Sequence, residues 1–373
     1  MPRGLPYNLF GGLLQLLCNR FQVPEFRDNW EVRTRRRCPA TVNVLHWCTG
    51  VYWGEQEPDT SLKTLRTASP AVLSTRFGQR SYCMKKTVVF TVLVCLLWAG
   101  FAFAKTGTLL VAFGTSMESG RPAIDALEKT YREAYGKEPL ALAFTSDIIR
   151  NKLAKQGQPV LSVNAAMNKL AKEGVTELVI QSLHMLPGEE YQQLERMVVK
   201  NLAKYPGVFT SVKVGYPLLL SEKDLDTVVK IVLASLADKR KAGDAVLLMG
   251  HGNDRGPGDL TLAATAAAFN KADPLVWLAS VEGANSFDAI LPKIKAAGVQ
   301  RVWLQPFMIV AGDHANNDLA GAEEDSWASR LKAAGMTPLP NLVGLGQLDG
   351  IQRLFLEHTK NAVVDLANTK KAE

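Results

Sequence analysis

The sequence predicts an α/β protein of two similar lobes, each a parallel sheet flanked by helices, with a cleft between them. Three observations lead there. From residue 105 onward, short apolar runs alternate with amphipathic stretches of helical period, the rhythm of strands buried on both faces and the crossover helices that cover them. The pattern restarts near residue 245, and Lys169-Leu170-Ala171-Lys172-Glu173-Gly174-Val175 through Gln181 is echoed by Lys293-Ile294-Lys295-Ala296-Ala297-Gly298-Val299 through Gln305, an offset of 124 residues. Residues 105–373 also contain no cysteine, and a chain of that length buries a large core without disulfides.

In chain order, residues 1–83 lack helix or strand periodicity, hold Cys18, Cys38, Cys48 and Cys83, and carry the run Arg33-Thr34-Arg35-Arg36-Arg37. They read as an extension outside the folded protein, either non-native sequence upstream of a start at Met84 or a disordered leader. Residues 84–104 begin Met84-Lys85-Lys86, continue as an apolar run over 88–103 and end Ala102-Phe103-Ala104. A basic start, an apolar stretch too short to span comfortably and small residues at the end describe a secretory signal peptide cleaved after Ala104. The expected location is the periplasm, with no stable membrane span.

The first lobe, residues 105–240, reads as strands at 109–113, 140–144, 177–183 and 209–214. Between them lie helices at 122–135, 163–172, 191–204 and 222–238. Pro122 suits a first helical turn, and Gly136 and Gly174 suit helix ends. The second lobe, residues 241–373, repeats the scheme with strands at 245–249, 275–280 and 302–307 and helices at 260–269 and 286–297. His358 falls on a C-terminal helix, where it reads as a surface residue.

Charge excludes one class of partner. The formal net charge is +7, from 43 Lys plus Arg against 36 Asp plus Glu. The first 83 residues hold 11 basic against 6 acidic residues, and Lys85 and Lys86 supply the rest, so residues 105–373 balance at 30 of each. A neutral folded part has no electrostatic motive for nucleic acid. No Walker loop, dinucleotide fingerprint or Gly-x-Ser-x-Gly elbow occurs, so no organic cofactor is expected.

Two histidines stand in glycine-framed loops behind predicted strands: Met249-Gly250-His251-Gly252 and Ala311-Gly312-Asp313-His314. Glu282 ends the strand between them. Two imidazoles and a carboxylate converging from strand ends make an open divalent-metal site, or equally a general acid/base pair with an orienting carboxylate. The internal offset sets Glu190 on His314, so the two are expected to face each other across the cleft. Ser116 reads as a hydroxyl lining that cleft beside Thr115. His184 either lines the cleft or is a satisfied polar residue beside a strand end. The acidic series Asp313, Asp318, Glu323, Glu324 and Asp325 complements a helix N-terminus or guides a cation.

Several stretches together, Val111-Ala112-Phe113-Gly114-Thr115-Ser116, Ala143-Phe144-Thr145-Ser146, Ile180-Gln181-Ser182-Leu183-His184, Gly188-Glu189-Glu190-Tyr191, Met249-Gly250-His251-Gly252, Ser280-Val281-Glu282 and Val310-Ala311-Gly312-Asp313-His314-Ala315 with Asn317-Asp318, resemble the class II tetrapyrrole chelatases. The resemblance is nearest to the CbiK-type cobalt chelatases that act on sirohydrochlorin, and it spans most of residues 107–360. It implies a tetrapyrrole held between two α/β lobes and insertion of Co²⁺, or Fe²⁺, without ATP. It also implies that His251 and His314 handle the metal, and that Glu190 and Glu282 are acidic positions of the active site, with His251, Glu282 and His314 as the metal set and His251, His314 and Glu190 as the catalytic set. Thr115, Ser116 and His184 are then substrate-binding. His184 beside Met185 keeps a second class open, a periplasmic haem, tetrapyrrole or metal carrier with little turnover. A solute-binding protein shares the signal peptide and two lobes but gives no reason for histidines at strand ends. Oligomeric state, homo-oligomer or monomer, stays open.

Overall fold

The computed structural model describes residues 104–252 and 258–368. The extension at 1–83 and the signal segment up to residue 103, with all five cysteines, lie outside the described residues.

The first sheet contains β1 (Thr106–Ala112), β2 (Leu140–Phe144), β3 (Glu177–Ser182) and β4 (Ser211–Gly215), all parallel, in the order β2-β1-β3-β4. The second contains β5 (Ala245–Gly250), β6 (Val276–Ser280), β7 (Arg301–Pro306) and β8 (Thr337–Pro340) in the equivalent order β6-β5-β7-β8. Parallel neighbours require crossovers. These are α1 (Arg121–Tyr135), α2 (Asp147–Lys155), α3 (Val163–Lys172) and α4 (Glu189–Leu202) in the first lobe, then α5 (Glu222–Leu236) leading to the second, and α6 (Gly258–Ala272), α7 (Phe287–Ala296) and α8 (Trp327–Ala333) beyond it. α9 (Asp349–Lys360) closes the described chain. No described helix is long and apolar enough to cross a membrane.

Strand periodicity assigns each side chain to a layer. In β1, Leu109 and Val111 pack outward with Leu170 of α3 and Leu194 and Val198 of α4. Leu110 and Ala112 face the other way. In β5, Leu247 and Met249 meet Ile290 of α7 and Leu331 of α8, while Val246 and Leu248 join the inner layer. That inner cluster unites the lobes, drawing Leu110 and Leu248 from the two sheets together with Ile124, Val228, Phe269, Phe307 and Phe355. Residues of both lobes therefore share one buried apolar layer.

Three sequence expectations need revision. The first strand stops at Ala112, and Phe113 is 46% exposed, because Gly114 adopts φ 110° and turns the chain out of the sheet. A Cβ there would meet the Phe144 ring at 2.5 Å, so this turn needs glycine. The strand β8 went unpredicted, since Pro338 and Pro340 cannot donate to a ladder; it pairs only with β7, at the sheet edge where proline is tolerated. His358 is buried, not a surface residue. It shares the inward face of α9 with Ile351 and Phe355, bonds the Asp224 carboxylate at 3.1 Å through Nε2 and donates to the Tyr216 carbonyl from Nδ1 at 3.3 Å. α9 follows the second lobe in sequence but packs on β3, β4, α1 and α5, where Thr359 donates to Gln181 at 2.9 Å.

Candidate active site

The carboxyl ends of the strands open into a cleft of about 600 Å³ lined from both lobes. This is where ligands bind in open parallel sheets, and the volume is that of a small-molecule site. Another concavity, over α1, is lined by Asp125, Glu128, Lys129, Arg132 and Glu133 and is a solvated charged helix face.

His251 follows β5 directly. Its loop is pinned to the end of β6 by Val281 donating to the Gly250 carbonyl at 3.0 Å and Glu282 donating to the His251 carbonyl at 2.9 Å. Gly252 adopts φ 83°, and a Cβ on it would lie 1.9 Å from the Glu282 carbonyl oxygen. Only glycine lets the two loops approach this closely, and the approach brings Glu282 Oε2 to 4.0 Å from His251 Nδ1. His251 Nδ1 lies 3.1 Å from the Gly252 carbonyl. A carbonyl only accepts, so Nδ1 carries the proton and the neutral ring keeps its lone pair on Nε2.

His314 reaches the same state by a different route. Its Nδ1 donates to Asp318 Oδ2 at 2.6 Å, four residues on across a short π-helical turn, Ala315–Leu319. Nε2 again keeps the lone pair, and the carboxylate behind the imidazole fixes the ring's tautomer and orientation. The two rings stand edge to face with centroids 5.0 Å apart. The loop is also tied to the first lobe: Ser119 Oγ donates to the Ala311 carbonyl at 2.9 Å and accepts from Asn316 Nδ2 at 2.8 Å.

Glu190 enters from the first turn of α4. Its side chain is solvent-accessible, yet it stands inside the concave cleft with protein around it. Burial there pushes its carboxyl above the ordinary range, with a smaller opposing contribution from the neighbouring His251. Its electrostatic neighbour is thus His251. Glu282 and Asp313 also line the cleft. Among the described residues, no three His, Cys, Asp or Glu side chains are grouped closely enough to hold a metal ion.

His184 lines the cleft and is only half satisfied. It is 3% exposed, and burial drives its pKa down to about 4, so the ring is neutral at physiological pH. Nδ1 lies 2.8 Å from Ser182 Oγ, while Nε2 is buried without a partner. Ser182 Oγ already accepts from the His184 backbone N–H at 3.4 Å. Its hydroxyl proton is then best directed at Nδ1, which leaves Nε2–H as a donor lacking an acceptor. Thr115 and Ser116 form part of the wall, and Thr115 Oγ1 also accepts from the Met117 backbone at 3.1 Å, holding the turn.

Sequence reasoning missed two contributors and gave a third another role. Asp318, read there as one of an acidic series, orients His314, and its i+4 spacing was a readable signal; Glu323, Glu324 and Asp325 do not line the cleft. Ile148 and Lys152 reach the cleft from α2, a helix capped by Ser146 accepting from Ile149 at 3.3 Å.

Comparisons with known proteins show the family and the fold. Residues 106–364 match the family model described as cobalt chelatase (CbiK). Sirohydrochlorin cobaltochelatase CbiKC of Nitratidesulfovibrio vulgaris is 37% identical over 259 residues, covering 69% of this chain and 91% of that protein. Sirohydrochlorin cobaltochelatase of Salmonella typhimurium is 32% identical over 264 residues, covering 69% and 97%. Among solved structures, SirB from Bacillus subtilis with Fe³⁺ superposes with a TM-score of 0.52 at 17% identity, covering 72% of this chain and 98% of SirB, a likeness of fold.

Proposed function

The chain belongs to the CbiK family of cobalt chelatases and is a metal chelatase; from that premise we propose that it inserts Co²⁺, with Fe²⁺ as the alternative cation, into sirohydrochlorin in the periplasm, without ATP. The observation that carries the reading is the pair of imidazoles 5.0 Å apart, each with Nδ1 engaged and, among the described residues, no hydrogen-bond partner on Nε2.

Insertion exchanges one divalent cation for two pyrrole protons, and the cation sheds its waters as it enters the ring. An Nε2 lone pair on His251 or His314 replaces a departing water or takes a pyrrole proton. Glu282, beside His251, offsets the cation's charge. Glu190, whose carboxyl burial has raised, is a better proton acceptor than an ordinary surface glutamate. Thr115, Ser116 and the His184 Nε2–H offer hydrogen bonds to the macrocycle. No step calls for a nucleotide or organic cofactor.

Anaerobic incubation of the purified protein with sirohydrochlorin and Co²⁺, followed by absorbance, tests the reading. Metallated product released over many turnovers is expected, and a parent rate in His314→Ala would overturn the residue assignment. The buried His184, whose Nε2 lacks a partner, stands next to Met185 and favours a second reading, a tetrapyrrole or haem carrier; stoichiometric tight binding without product release would establish it instead. Export rests on the segment 84–104. N-terminal sequencing of the periplasmic protein should begin at Lys105, and abundant peptides from before Met84 in whole cells would refute a translation start at Met84.

A further inference from the structure

The cleft is chemically two-sided. Glu189, Glu190, Glu282 and Asp313 line it together with three histidines, whereas Lys152 is the sole lysine or arginine among its described lining residues. Nothing on its own helix neutralises it. Positions three and four residues away on α2 and just past its end are Ile148, Ile149, Lys155 and Gln156, while the neighbouring Arg150 is already paired with Asp147. One turn before Lys152, Ile148 is 82% exposed, and Phe113 across the loop is 46% exposed. An amphipathic helix ordinarily turns isoleucine inward. Here an unpaired cation and uncovered apolar surface occupy the same lip of the cleft.

We propose that Lys152 is the carboxylate-recognition residue of this cleft: its ammonium takes a peripheral carboxylate of the tetrapyrrole, and Ile148 and Phe113 cover the adjoining apolar edge of the ring. This rests on the substrate class proposed above. A polycarboxylate macrocycle is repelled by Glu190 and Asp313, Glu189 being paired with Arg196, and among the described lining residues it is attracted at the Lys152 lip, so one orientation is favoured. That orientation leaves the opposite side of the cleft, with His251 and His314, to the metal and the pyrrole protons.

The test measures binding of metal-free sirohydrochlorin by absorbance titration, at low and high salt, in the parent, Lys152→Met and Lys152→Arg. Lys152→Met should weaken binding by about fivefold to tenfold and flatten its salt dependence, and Lys152→Arg should restore it to within about twofold. With mesoporphyrin, which has far fewer carboxylates, parent and Lys152→Met should differ little. Equal sirohydrochlorin affinity in parent and Lys152→Met, or an equal loss with mesoporphyrin, would overturn the assignment. Because binding is read without metal, the two proposals fail separately. A parent that binds sirohydrochlorin but never metallates it sinks the proposed activity alone. A parent that metallates while Lys152→Met binds unchanged sinks this inference alone, and a parent that binds no tetrapyrrole sinks both.

Discussion

The imidazoles of His251 and His314 meet edge to face, with planes at 81° and centroids 5.0 Å apart. They arrive on separate loops, after β5 and after β7, and their Nδ1 atoms are held by different partners, a carbonyl for His251 and the Asp318 carboxylate for His314. The pair is therefore chemically unequal. His314 is held by a charged side chain and His251 by a backbone carbonyl, so the two rings are oriented by groups of different strength.

Replacing the Asp318 carboxylate by its amide tests that difference. Asp318→Asn keeps the shape but removes the charge behind His314, so Co²⁺ insertion should fall by about tenfold to a hundredfold. The apparent KM for Co²⁺ should rise as His314 loses the charged group that orients its ring. The measurement is kcat and the apparent KM for Co²⁺, and parent values of both would show that Asp318 merely holds the turn.

Glu190 illustrates a functional group held at a cost to stability. Burial raises its carboxyl above the ordinary value of 4.5, so the proton is held more tightly in the folded protein than in the unfolded chain. The stability this adds is fully present below pH 4.5 and is lost as pH rises through the folded value. At neutral pH Glu190→Gln should therefore melt higher than the parent, with the gap closing below about pH 4.5. Metallation should drop by about a hundredfold. Thermal melts at several pH values together with rates would expose a failure in either half.

Much of this was legible in the sequence because the parallel-sheet rhythm is local. The matched segments around Gln181 and Gln305 also behave alike in three dimensions: each glutamine donates through Nε2 to the carbonyl of the next residue and to one on the neighbouring edge segment, Tyr216 or Val343. His251, His314 and Glu282 were visible as polar side chains ending apolar strands. Lys152 was not, because nothing in Asp147-Ile148-Ile149-Arg150-Asn151-Lys152 says which face of a short helix meets a cleft built largely by other segments. His358 failed for the converse reason: its polarity suggested solvent, whereas the spacing from Ile351 and Phe355 placed it inside.

The bond between Ser119 and Asn316 joins the first lobe to the loop that carries His314, across 197 residues of sequence. Ser119→Ala removes both that bond and the one to the Ala311 carbonyl. Loosening the loop should lower kcat by about threefold to tenfold, since small misplacements of a reacting group are costly. KM for the tetrapyrrole should stay near the parent's, because the lip at Lys152 is untouched. A matching rise in KM with unchanged kcat would assign Ser119 to substrate binding instead.

The base of the second sheet offers a purely structural prediction. Asp244 is 4% exposed and accepts from Arg301 Nε at 2.8 Å, Trp303 Nε1 at 3.0 Å and the Lys241 backbone at 3.0 Å. The Arg301 hydrogen bond, outweighing burial with help from the other donors, holds its carboxyl well below the usual range. The stability from this depressed value is present above the ordinary value of 3.8 and is lost as pH falls towards the folded one. Asp244→Asn strands at least one of these donors and should cost about 1–3 kcal/mol at pH 7, measured by urea unfolding. The deficit should shrink as the parent is acidified, and kcat on the surviving folded protein should be unchanged because the site lies at the opposite, carboxyl end of the strands. A deficit that persists undiminished at low pH would mean that the ionised carboxylate is not what stabilises this corner.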